Sequence, residues 1–242
     1  MCWSPEATLA MVGIGAVATE VTRRRGEPVA IWGTLGYFTG MEVLQAAGYL
    51  VIDQCGTPGN RTVTALSYLH IAFQPLVINA FALHLVPEGI RRRWWRTVMA
   101  LSGLASLILL AKLLPWPVLG PCVPGTALCA EAFCTRAGEW HLAWDVHYNG
   151  LTVPFEAALG IGPGFPEYML AVFLMPIVYG AWRFVVLHAL VGPILALQLT
   201  SDPGEMPAIW CLFSIGLLLI GLSPAVRRQV STTRWWGREV RA

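Results

Sequence analysis

Residues 166–200, PEYMLAVFLMPIVYGAWRFVVLHALVGPILALQLT, form one apolar run of 35 residues. A bilayer crossing takes about twenty residues, so the run is too long for one crossing and just long enough for two short ones. Gly180 and Arg183 offer a turn between the halves. Splitting the run there predicts spans at 166–182 and 184–200, and every later inference about sidedness depends on that split.

The rest of the chain is of the same character. Of 242 residues, 56% are hydrophobic and 12% charged, against about a quarter charged in soluble domains. Strings such as TVMALSGLASLILLAKLLPW and AIWCLFSIGLLLIGLSP exceed what one small soluble core could bury. In hydrocarbon only helices and closed barrels satisfy the backbone. The runs are continuous rather than alternating, which favours helices. The expected fold is an all-α, polytopic transmembrane helix bundle in a single domain, 1–242. It has about seven spans, at 7–22, 28–51, 62–87, 95–117, 166–182, 184–200 and 207–223, with a long loop at 118–165. No removable signal peptide is expected, since MCWSPEATLA lacks a basic leader and the first apolar run ends in three arginines. There is no internal repeat. The net charge of +2 gives no argument for nucleic acid.

Charge orients the bundle. With seven spans, Arg23, Arg24, Arg25, Arg91, Arg92, Arg93, Arg96, Arg183, Arg227, Arg228, Arg234, Arg238 and Arg241 share one side. They are 13 of the 16 basic residues. The positive-inside rule makes that side cytoplasmic, so the N-terminus lies outside and the C-terminus inside. The expected location is the bacterial inner membrane, as a multi-pass protein whose first partner is the lipid bilayer. Trp94, Trp95, Trp235 and Trp236 suit interfacial anchors.

Five of the six cysteines then fall outside, and Cys211 lies in a span. Cys55, Cys122, Cys129 and Cys134 are candidates for two disulfides tying the long loop to the loop after the second span. Three pairings are open. A thiolate metal cluster is the alternative, although no CxxC unit is present. Cys2 is left unpaired.

Polar residues inside spans are costly and usually face a site or water. Glu42, Gln45 and Tyr49 recur on one face of the second span, and Ser67, His70 and Gln74 on one face of the third. Glu42 lies nine residues before the outer end of its span, and His70 eight after the start of the next. At about 1.5 Å per residue both sit roughly 12–13 Å deep. Adjacent antiparallel spans would bring them together, as an acid–base pair, as metal ligands or as a structural pair. In the outer loop, WHLAWDVHYN (140–149) spaces His141 from Asp145, and Trp140 from Trp144, by four. A short helix there would put His141 and Asp145 on one face. Folded over the pocket, His141 or His147 could join His70 and Glu42 in a site of two histidines and a carboxylate, suited to zinc or iron. Cys2 would add a soft ligand and shift the preference towards copper or zinc. His84 and His188 lie in the inner half, where His188, beside Arg183, is expected to snorkel. The spacing of His70 and His84 resembles stacked haem ligands, but only His188 stands within another span, so haem is not favoured.

MCWSPEA, GTLGYFTGMEVLQAAGYLVIDQCGTPGN, SYLHIAFQPLVINAFA and WHLAWDVHYNGL together resemble a family of uncharacterised bacterial integral membrane proteins. That resemblance implies a multi-span membrane protein and no particular activity. A slighter likeness is to the alkaline ceramidase and progestin/adipoQ receptor group, seven-span zinc hydrolases, with Ser67 and His70 at the matching serine and histidine. Their late-span HxxxH has no counterpart in PAIWCLFSIGLLLIGLSP.

These readings lead first to a membrane-embedded, metal-dependent enzyme with a Glu/His site open to the outer face, a hydrolase or an oxidoreductase. It would act on a lipid or lipid-soluble small molecule. Glu42 and Asp145 would be its catalytic groups. His70, His141, His147, Glu42 and Cys2 would hold a transition metal (zinc, iron or copper). Gln45, Tyr49, Ser67, Gln74, Trp140 and Trp144 would line the substrate site. The alternatives are a transporter or small-molecule-binding protein using the same polar pocket, and an accessory subunit in which the polar residues are packing contacts.

Overall fold

The computed structural model describes residues 4–162, 164–211, 213–235, 238 and 239. Four long helices come first: α1 (Pro5–Arg24), α2 (Val29–Leu50), α3 (Pro58–Ala82) and α4 (Glu88–Ala111). Local sequence sets their starts. Ser4 and Thr57 accept the N–H of Ala7 and Asn60, and a proline follows each cap, where its fixed φ and missing donor cost nothing. α1 packs on α2, α2 on α3 and α3 on α4. The α1–α2 contact is close because Gly15 has no side chain: a Cβ there would lie 2.3 Å from the Thr39 hydroxyl.

The loop at 118–165 contributes the short helix α5 (Val153–Leu159) and a hairpin of β1 (Cys134–Ala137) and β2 (Leu142–Asp145), paired antiparallel with Thr135 opposite Trp144. The chain is mainly helical as expected, with this small sheet as the exception, and 142–145 is a strand where a short helix would have put His141 and Asp145 on one face. A spacing of four fits one helical turn and also two strand repeats, and pairing with residues 134–137 selects the strand. Two disulfides fix the loop: Cys55–Cys134 joins it to the turn after α2, and Cys122–Cys129 closes a local ring. The two expected bridges are therefore present, in one of the three open pairings.

The decisive apolar run divides as its glycine suggested. α6 (Pro166–Val178) and α7 (Trp182–Leu199) are separated by a turn in which Gly180 takes φ +100°. Each contains a π-helical turn, Leu170–Leu174 and Leu190–Ile194. Then come α8 (Met206–Trp210), α9 (Phe213–Leu222) and α10 (Pro224–Val230), and a two-residue ladder of Arg234–Trp235 with Arg238–Glu239. Among the described residues, Pro58–Leu85, Glu88–Ala111 and Trp182–Leu199 are long and apolar enough to cross a membrane. A fourth such segment arises if the bent pair Met206–Leu222 and Pro224–Val230 counts as one.

The two ends of the bundle differ. At one end Arg25 donates to the Leu222 carbonyl, Arg183 to the carbonyls of Gln229 and Ser231, and Arg227 to Glu27. The other end carries the hairpin, both disulfides and the turn at Asp202–Glu205.

Candidate binding site

Glu42 and His70 do not bond to each other. His70 faces α2 one and a half turns away from Glu42: its Nε2 donates to the Tyr37 carbonyl (2.8 Å), its ring stacks on Tyr37 at 3.9 Å, and the Tyr37 hydroxyl donates back to the His70 carbonyl (2.5 Å). This reciprocal clasp binds α2 to α3. Glu42 points instead at α1 and α9, where Ser214 Oγ donates to its Oε1 (3.3 Å) beside Gly15 and Thr39. Five residues along a helix rotate a side chain by about 140°, which is why equal depth did not produce a meeting. Ser67 is fully buried, and its hydroxyl has no hydrogen-bond partner among the described residues.

Three expected site residues do converge. The His141 ring stacks on Tyr49, and its Nδ1 accepts from the Tyr49 hydroxyl (2.8 Å) and the Leu142 N–H (2.8 Å). The proton therefore sits on Nε2, which donates to Gln45 Oε1 (3.1 Å). Burial pushes the pKa of His141 down to about 4. Behind it, Glu205 is fully buried and accepts the backbone N–H groups of Glu139, Trp140 and His141, and the Thr200 hydroxyl. A side chain at Gly138 would collide with this carboxylate. The cluster locks the hairpin onto α2 and the α7–α8 turn.

Asp145 is turned away from His141. It accepts from Arg136 Nε (3.0 Å), whose other nitrogens grip Asp202 at 2.6 and 2.9 Å. That guanidinium holds the Asp202 carboxyl below its ordinary range. His147 is exposed near Arg61 and Glu131, Trp140 is exposed, and Trp144 is buried under the turn, its backbone N–H donating to the Gly204 carbonyl. Cys2 lies outside the described residues. Among the described residues no three His, Cys, Asp or Glu side chains are grouped to hold a metal.

An apolar concavity lies elsewhere. A cavity of about 290 Å³ lies beneath the hairpin cap, between α3, α6, α7 and α8. Its wall is aromatic and apolar, with Phe38, Phe165, Tyr168 and Trp210 prominent. Tyr168 meets Trp210 edge-on at 5.6 Å. Met169 and Leu197 line the cavity and are also 42% and 59% exposed, so it opens sideways between α6 and α7.

Two polar side chains face this space. Gln74, one of the expected binding residues, accepts the Tyr168 hydroxyl on Oε1 (2.5 Å). With Oε1 engaged by Tyr168, the amide N–H₂ is the part of this cavity-lining side chain left to meet a ligand. The second is His188, and the snorkelling reading of it is corrected. It is fully buried, stacked on Phe173 at 4.6 Å, and accepts the Trp210 indole N–H on Nε2 (3.0 Å). α7 starts at Trp182, so His188 stands nearly two turns inside the bundle.

The break in α7 makes this wall. Gly192 has φ −105° and ψ −106°, outside helical geometry, and precedes Pro193. The Trp210 indole occupies the space where a Gly192 Cβ would sit, 2.5 Å from that position. π-turns often mark functional sites, and the one at Leu190–Ile194 contributes Pro193 to the cavity wall. The Gly192–Pro193 pair one turn after His188 was the sequence signal for this site.

The fold and cavity define a helical bundle closed at one end by a disulfide-tied cap, with an apolar side pocket beneath it. The chain belongs to a family of unknown function, DUF5765, whose model matches residues 6–231. No curated protein and no solved structure matches it.

Proposed function

We propose that this protein is a multi-pass membrane protein that binds a lipid-soluble small molecule in the cavity between α3, α6, α7 and α8. The observation that carries the reading is the cavity itself: apolar, aromatic-walled, open towards the outside of the helices, and lined by one side-chain amide, Gln74, whose Oε1 is engaged by Tyr168. Pockets that hold small molecules combine such walls with a few polar groups that orient the ligand.

The membrane setting is supported by large apolar side chains on the outside of the helices, such as Leu107, Leu190 and Leu219 at 64%, 53% and 55% exposure. Soluble monomers rarely carry such belts. Arginines gathered at one end and disulfides at the other fit a seven-span chain with its cap on the oxidising, outer side. A reporter fused after Ala242 that is active only in the cytoplasm would agree with this orientation. One active only outside would reverse it.

Purification in nanodiscs followed by solvent extraction and mass spectrometry tests the binding. Wild-type protein should retain a non-phospholipid, lipid-soluble compound, and Ile71→Trp, which fills the cavity, should lose at least nine-tenths of it. Ala127→Trp, at the rim, serves if Ile71→Trp does not fold. Equal retention by wild type and both variants, or none by wild type, rejects the reading.

A further inference from the structure

We infer that the ligand is a neutral quinone or a closely similar flat, carbonyl-bearing ring; this rests on the cavity reading above and specifies its occupant. Three features point there. First, the space of about 290 Å³ is at the lower limit for pockets that enclose whole small molecules, roughly 300–1,000 Å³. It takes a head group of one or two rings, with any tail left outside. The lateral mouth between Met169 and Leu197 gives an apolar tail its exit.

Second, the wall is built for a flat ring. Tyr168, Trp210, Phe165 and Phe38 present aromatic faces and edges to the space, and offset or edge-on contact with a ring is the arrangement such groups favour. Trp210 is held in place by His188 and by the gap at Gly192.

Third, the Gln74 amide offers N–H donors and no charge. An acyl chain would leave those donors unpaired. A carboxylate would find no lysine or arginine among the described lining residues, and the adjacent Lys112 is already paired with Glu167. A neutral carbonyl oxygen satisfies the donors at no charge cost.

The full chain in phosphatidylcholine nanodiscs is titrated with menadione, ubiquinone-1 and 1-dodecanol, and the thermal midpoint is followed. Both quinones should raise it and dodecanol should not. Gln74→Leu should weaken menadione binding about tenfold, the worth of one buried hydrogen bond. Gln74→Asn, which shortens the reach, should also weaken it and covers the case where Gln74→Leu misfolds. Dodecanol binding as tightly as the quinones, or unchanged menadione affinity in both Gln74 variants, overturns the ring-and-carbonyl assignment. So does menadione binding that survives Ile71→Trp. If the purified protein retains a native compound yet no quinone binds, this inference alone falls. If nothing is retained either, the cavity reading falls with it.

Discussion

The indole of Trp210 donates to Nε2 of His188 at 3.0 Å, across the point where Gly192 interrupts α7. The three residues act as one device: the break makes room for the indole, and the indole fixes the imidazole tautomer with its proton on Nδ1. Gly192→Ala places a methyl 2.5 Å from the indole nitrogen. It should cost about 1–3 kcal/mol, the usual range for overpacking, and displace Trp210 from the cavity wall. Thermal unfolding with and without ligand reads both effects. An unchanged midpoint together with unchanged retention would show that the indole does not depend on the gap.

Glu205 should matter more to the cap than any residue of the hairpin itself. Its carboxylate serves three consecutive backbone N–H groups and the Thr200 hydroxyl. Glu205→Gln turns one acceptor oxygen into a donor facing donors, and should cost about 2–3 kcal/mol through lost charge-assisted bonds. Amide exchange at Glu139, Trp140 and His141 should accelerate by about a hundredfold. Unaltered protection at those three amides would contradict the anchoring role.

His141 makes the cap sensitive to acid. Its folded-state pKa, pushed down to about 4 by burial, lies below the unfolded value of about 6.5. The unfolded chain therefore takes up the proton first. The stability that neutral His141 supports is complete above the unfolded value, and declines as pH falls from about 6.5 towards about 4. The groups facing it are Tyr49, Gln45 and, through the backbone, Glu205. His141→Gln should flatten the midpoint-versus-pH curve between pH 6.5 and 4. Parallel curves for variant and wild type would assign the acid sensitivity elsewhere, with the Arg136–Asp202 pair contributing only at lower pH.

Lys112 and Glu167 form a buried ion pair at 2.9 Å, with side chains 1% and 5% exposed. Lys112 also donates to the Gly164 carbonyl and lies over the Phe165 ring at 4.3 Å, beside the cavity. Lys112→Met alone leaves a buried carboxylate uncompensated and should cost about 3–5 kcal/mol, whereas Lys112→Met with Glu167→Leu should recover most of that loss. A double variant as unstable as the single one would show that the pair is needed for more than charge balance.

Much of the architecture was legible because it follows from composition and punctuation. The Gly180 turn, the helix starts at Ser4-Pro5 and Thr57-Pro58, and two disulfides in the cap all rest on local chemistry. The site was less legible for two reasons. Helical spacing states which residues share a face but not which neighbour that face meets, so Glu42 and His70 turned to different partners. A spacing of four in 140–149 is common to helix and strand, and only the pairing with residues 134–137, set by long-range contacts, separates them. Gln74, Gln45 and Tyr49 were within reach because each lay on a polar stripe of a span, and His141 because it stood in the polar cluster of the outer loop. His188 was not, since nearby Arg183 suggested a helix end, whereas α7 starts at Trp182 and the His188 face packs inward on Phe173 and Trp210.

The Glu205 anchor also bears on how the molecule assembles. Cys122 and Cys129 are seven residues apart, so their ring closes over a short loop, whereas Cys55 and Cys134 must meet across 79 residues. The hairpin then waits for an acceptor 64 residues downstream of His141. Closing such long loops is entropically slow. A chain halted before Thr200 would carry strands 134–145 without their carboxylate, and the cap would be the last part of the molecule to gain its final shape.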